Sequence, residues 1–207
     1  NPPKSLDVHL GTDGLNFVCT ECHTTDGHDT KGSRYVSKGK DTHGIDVPGR
    51  DDKSRASCES CHGLMPHPET VNDKLNEHTN KVACQTCHIP TYAKTATETH
   101  RDWLMHHDDT PADGVSGPGH PYTERAANLI PEYLFWNRTS DNYLLGDAAQ
   151  MDSTTGTYPT SRPLGDIHTG MLTPFKYKTA DQPMITRNNE LIALDTLEYL
   201  KLSGDLE

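Results

Sequence analysis

Three pentapeptides each place two cysteines three positions apart with a histidine directly after: Cys19-Thr-Glu-Cys22-His23, Cys58-Glu-Ser-Cys61-His62 and Cys84-Gln-Thr-Cys87-His88. They consume all six cysteines of the 207-residue chain. Two thiols one short turn apart suit addition to the two vinyl groups of a haem, and the following histidine is carried beneath the iron as its proximal ligand. A zinc site or a disulfide would use the same residue types, but three whole repeats with no cysteine left over favour covalent haem. The expected cofactor is haem c in three copies, bound through Cys19, Cys22, Cys58, Cys61, Cys84 and Cys87. His23, His62 and His88 are the expected proximal ligands.

The opposite face of each iron needs a sixth ligand. Ten further histidines are available: His9, His28, His43, His67, His78, His100, His106, His107, His120 and His168. Three irons use at most three, so most of the ten serve elsewhere. Position singles out four as distal candidates, of which about three are required. His9 precedes the first motif by ten residues and His28 follows it by five. His67 follows the second motif by five, within Met65-Pro66-His67-Pro68, where the prolines fix the loop. His78 lies six residues before Cys84, too close to fold back onto its own haem, and would reach a neighbouring one. Methionine ligation would raise the potential, but only Met65 lies near a motif. Bis-histidine ligation and low-potential haems are therefore expected. His106-His107 followed by Asp108-Asp109 could hold a divalent cation; a polar loop is the simpler reading.

The elements that must position these groups are short. All three motifs fall within residues 19 to 88, and none lies beyond, so the chain divides into a trihaem-binding region, 1–90, and a haem-free wrapping or docking region, 91–207. Unequal motif spacing excludes a simple tandem repeat. Loops rich in Gly, Pro, Asp, Ser and Thr (Gly11 to Gly14, Gly27 to Gly32, Val47 to Lys53) join short helical turns. Residues 69 to 88 read as a helix stopped by Pro90. Pro111 to Pro121 is too rich in Gly and Pro for regular structure. Tyr122 to Trp136 reads as a short helix interrupted at Pro131, and residues 138 to 188 as extended chain or coil. Leu191, Leu194, Leu197 and Leu200, with Gly204 beyond, read as an amphipathic C-terminal helix over Asn189 to Leu202.

Only 32% of residues are hydrophobic, against 14 Pro and 16 Gly, and the mean hydropathy is -0.78. Such a chain has little apolar surface to offset its conformational entropy. Three haems would supply that surface, so the haem-free chain is expected not to fold. The fold class is accordingly a multihaem cytochrome c: haem-organised, low in regular secondary structure, mainly short α-helices and loops. A net charge of -11, to which propionates would add, argues against nucleic acid or an anionic membrane as partner. No apolar run reaches transmembrane length. The Asn1-Pro2-Pro3-Lys4 opening reads as a processed or trimmed start. Covalent haem attachment outside the cytoplasm predicts a periplasmic or extracellular location. Asn137-Arg138-Thr139 is a glycosylation sequon.

Longer stretches resemble the central part of the octahaem tetrathionate reductase-type cytochromes. They are Asp7 to Cys19, Ser54 to Gly63 with Pro66-His67, Leu75-Asn-Glu-His78 and Val82 to Pro90, then Pro131 to Asn137, Tyr143 to Asp147, and Thr173 to Lys176 with Gln182-Pro183. The resemblance implies that His9, His28, His67 and His78 are axial ligands, and it makes Asn137 a family position rather than a glycan site. Those enzymes carry eight haems, one with a proximal lysine from a Cys-x-x-Cys-Lys motif; no such motif occurs in this sequence. What it implies is the family's electron-relay core without its active site.

The expected function is electron transfer through three closely spaced bis-histidine haems, with no chemistry of the protein's own. The expected partners are redox proteins or further copies of the chain, up to an extracellular conductive filament in which a neighbour donates a distal histidine. The competing expectation is a reductase of small oxyanions with one open haem site, although an acidic protein steers anions poorly. A third is a cytochrome domain of a larger enzyme.

Overall fold

The structure, a computed structural model, describes residues 2–23, 25–26, 29–30, 45–46, 58–68, 73–106, 121–137 and 139–195. Four helices of one or two turns occur there: α1 (Cys19–Cys22), α2 (Cys58–His62), α3 (Asp73–His78) and α4 (Cys84–His88). Twelve short strands accompany them. In chain order these are β1 (Thr25–Asp26), β2 (Asp29–Thr30), β3 (Ile45–Asp46), β4 (Thr97–His106), β5 (Pro121–Ala126) and β6 (Glu132–Trp136). They continue with β7 (Thr139–Asn142), β8 (Ser161–Pro163), β9 (Met171–Phe175), β10 (Thr179–Asp181), β11 (Met184–Ile185) and β12 (Glu190–Leu191). Helix and strand are thus pieces between loops, as expected of a haem-organised chain.

The chain forms two compact units. One comprises Asn1–Pro90, Tyr133–Asn142 and Ser161–Pro174; the other Thr91–Glu132, Tyr143–Thr160 and Phe175–Glu207. All three motifs lie in the first unit, together with two segments drawn from beyond residue 90. Those segments carry most of the β6-β9 pair and supply β7 and β8, which join β3 in the order β3-β7-β8. Gly170 permits a close approach there, since a Cβ on it would stand 2.8 Å from the Trp136 backbone nitrogen. The Trp136 indole N–H donates to the Thr139 carbonyl at 2.8 Å and closes the β6-β7 turn. The second unit is built on β4, which pairs antiparallel with β5 and parallel with β10. Glu98 of β4 forms ion pairs with Arg101 and Lys178, and Arg101 also lies 5.1 Å over the Trp103 ring. Burial alone would raise the Glu98 carboxyl, but the hydrogen bonds and charges of Lys178 and Arg101 outweigh it and hold it below the usual carboxylate range.

Three expected helices differ. The 69–88 segment breaks into α3 and α4, because Val82 bridges Leu172 in parallel and Ala83 takes an extended conformation. Leu172 both accepts from the Ala83 N–H at 2.9 Å and donates to the Lys81 carbonyl at 2.7 Å. Residues 69–72 lie outside those described. Tyr122 to Trp136 forms β5 and β6, since the aromatic and β-branched residues there suit strands and β4 and β9 supply partners. The chain turns between them through Asn128, at φ 54°. The C-terminal helix does not begin at Asn189, which has φ 56°. Glu190 and Leu191 pair as β12 with β11 instead, and residues 196–207 lie outside those described.

Among the described residues, only Ala149 and Met171 are buried hydrophobics. Large apolar side chains stand exposed around the motifs: Leu15 at 60%, Val18 at 56%, Leu64 at 77% and Met65 at 68%. A chain of this length normally buries a substantial apolar core of its own. These side chains fit a fold whose apolar centre is a large bound group.

Candidate haem-binding site

Each motif folds as one helical turn, which brings residues i and i+3 to one face and so presents both cysteines together. The turns end at once. His23 N–H donates to Cys19 O at 2.9 Å, Gly63 N–H to Glu59 O at 2.9 Å, and Ile89 N–H to Gln85 O at 2.8 Å. Gly63 takes φ 76°, the left-handed stop that favours glycine. Thr86 Oγ1 donates to Leu172 O at 2.9 Å and ties α4 to β9. None of the six cysteines forms a disulfide. Among the described residues no group of three or more His, Cys, Asp or Glu side chains is placed to hold a metal ion by itself.

Two of the motif histidines lie near a histidine of another segment. His9 and His62 have ring centres 6.3 Å apart with planes at 74°; His67 and His88 are 6.1 Å apart with planes at 10°. A metal–imidazole bond of about 2 Å, plus roughly 1 Å from nitrogen to ring centre on each side, sets two opposed rings about 6 Å apart across one iron. Both separations match, and both exceed direct ring stacking. The residues therefore fit haem c: thiols on one face, a histidine behind them, and a second histidine one metal's width away. Each of these histidines lies near a motif other than its nearest in sequence, His9 near His62 of the second and His67 near His88 of the third.

Loops hold the His9 and His67 rings. Pro2 to Phe17 is closed by its own backbone, with Thr12 N–H donating to Pro2 O and Phe17 N–H to His9 O. A Cβ at Gly11 would fall 2.5 Å from Asp7 O, so this loop requires glycine. Asp7 Oδ1 accepts from the backbone of His9 and Leu10. His67 is held by the buried Asn76 of α3, a residue of the Leu75-Asn-Glu-His78 stretch to which the sequence alone assigns no role.

The second and third motifs also touch through their first cysteines. Burial pushes the Cys58 thiol up to about 11, and Cys84, which hydrogen-bonds it, and Glu59 add to the rise. Conversion to a thioether removes the titrating proton altogether.

The remaining histidines divide. His23 follows α1, while His28 lies outside the described residues, as do His43, His107 and His120. The side chain of His106, Asp108 and Asp109 are also outside them, and with them the His106-to-Asp109 cation reading. His78 ends α3, exposed, and meets no ring among the described residues. His100 has other business: its Nδ1 is 2.8 Å from Thr179 Oγ1 and its Nε2 3.6 Å from Asp181. His168 lends its backbone to Asp166 and Lys81. Asn137 shapes a turn, its side-chain oxygen accepting from Thr139 N–H and Oγ1.

Motif turns, paired imidazoles and few buried hydrophobic side chains among the described residues fit the multihaem cytochrome c fold. The family described as Cytochrome c bacterial matches residues 122–203, within the half that has no haem motif. The chain is similar over 99% of its length to the octaheme cytochrome c from Shewanella oneidensis, at 31% identity and a TM-score of 0.72. It spans 46% of that protein's chain. Among curated proteins none matches.

Proposed function

We propose that this chain is an electron relay, carrying three c-type haems and performing no chemistry of its own. The observation that supports it best is the pair of opposed imidazoles, His9 with His62 and His67 with His88, at 6.3 and 6.1 Å. Iron held between two histidines has no vacant position for substrate. Bound haem supplies a one-electron couple, low in potential for bis-histidine ligation. The chain's part is to fix both ligands, exclude water with the apolar residues around the motifs, and hold the carriers together. Contact between Cys58 and Cys84 supports close spacing of the second and third carriers. The haem on Cys19 and Cys22 takes His28 or His78 as its sixth ligand.

Residues 91–207 wrap and dock in this reading, handing electrons to a redox protein or to another copy, with end-to-end assembly into an exported filament as its extended form. No helix of the described residues is long and apolar enough to cross a membrane. The test is substitution of His9 and His67 singly, with ferric spectra recorded. Each should leave one haem five-coordinate and high-spin; unchanged spectra in both would remove the ligand assignment.

A further inference from the structure

We infer that Asn76 is a positioning residue, which locks the tautomer and plane of His67 and makes the haem on Cys84 and Cys87 electronically distinct from that on Cys58 and Cys61. The inference rests on the reading that His67 and His88 share one iron.

Asn76 is 5% exposed, one of the few buried polar residues among those described. Its Oδ1 accepts from the His67 backbone N–H at 3.0 Å, and its Nδ2 donates to the His67 carbonyl at 2.9 Å. Those two contacts fix which end of the amide is oxygen, since a flipped amide would set donor against donor and acceptor against acceptor. The same Oδ1 lies 3.3 Å from His67 Nδ1. An amide oxygen only accepts, so this contact requires the proton on Nδ1 and leaves the Nε2 lone pair for the metal.

A loop staple would need only the two backbone contacts; the third reaches the ring. Its consequence is chemical. Donation from Nδ1–H enriches the ring in electrons and makes it a better ligand to ferric iron, which lowers the potential of that haem. At His9 the Asp7 carboxylate lies 4.0 Å from Nδ1, beyond hydrogen-bond reach.

The planes differ as well. At 10° the π-donor orbitals of His67 and His88 act on the same iron d orbital and split the pair; at 74° those of His9 and His62 act on both and leave them nearly degenerate. The first haem should give a rhombic low-spin ferric resonance and the second a strongly anisotropic one with a large maximal g value. Asn76 keeps His67 at the first setting.

Asn76→Leu and Asn76→Asp in the haem-loaded protein test this by electron paramagnetic resonance and potentiometric titration, with His67→Ala as control. Leucine should raise one midpoint potential and shift the rhombic resonance toward the anisotropic type. Aspartate should lower that same potential, as a carboxylate draws the Nδ1 proton harder, and keep the rhombic resonance. If the leucine variant does not accumulate, the downward shift in Asn76→Asp carries the test. Shifts in the same direction, or no shift in Asn76→Asp, would overturn the role of Asn76 while leaving ligation intact. If His67→Ala forms no high-spin haem, the ligation reading itself fails.

Discussion

His9 and His67 lie on loops beside the first and second motifs yet face the proximal histidines of the second and third. At the residue scale this makes each substitution specific to one iron. His9→Ala and His67→Ala should each convert one haem, about a third of the total signal, to a high-spin species visible by absorption and resonance spectroscopy. His100→Ala should leave the spectrum unchanged, since its ring is taken up by Thr179 and Asp181. The candidate attachment cysteines and proximal histidines could be named from the sequence because thiol chemistry fixes their spacing. The proximity of His9 to His62 and of His67 to His88 could not, as it depends on how loops cross in space. The role of Asn76 lay further from view still, for it stands nine positions from His67 and on another element, α3.

At the scale of elements, the strands carry the structure that sequence periodicity missed. Tyr122 to Trp136 has helical spacing of apolar residues, but pairing with β4 and β9 overrode it. Val82 was hidden in the same way, because its partner Leu172 lies 90 positions away. Two consequences can be measured. Gly170→Ala would drive a methyl into the Trp136 backbone and should destabilise the β6-β9 pair by about 1–3 kcal/mol, read as a lower thermal midpoint. The second concerns Glu98, whose carboxyl is depressed in the folded state by Lys178 and Arg101. Its stabilising contribution is complete above the unfolded carboxylate value of about 4.3 and is lost as pH falls through the lower folded value. Glu98→Gln should therefore lower stability at neutral pH and flatten the acid limb of the unfolding curve. An acid limb identical to the parent protein's would show that the ion pairs contribute nothing there.

At the scale of the whole molecule, the low apolar content of the sequence and the few buried hydrophobic side chains among the described residues fit the proposal that haems form the core. That expectation came from composition, and the exposed Leu15, Val18, Leu64 and Met65 are compatible with it. Protein expressed without haem attachment should show no cooperative unfolding transition by calorimetry, whereas the loaded protein should have an intact mass of polypeptide plus three haems and no thiol open to alkylation. A cooperative transition in the haem-free chain would contradict the account of its stability. The relay claim itself turns on whether any iron is open. The most direct measurement is the ferric spectrum of native, undiluted protein, followed by exposure of the reduced form to carbon monoxide at neutral pH. Six-coordinate iron throughout predicts all-low-spin haem and no carbon monoxide adduct within minutes, with rapid reduction by dithionite. A persistent high-spin haem that binds carbon monoxide and turns over tetrathionate, nitrite or hydroxylamine would contradict it.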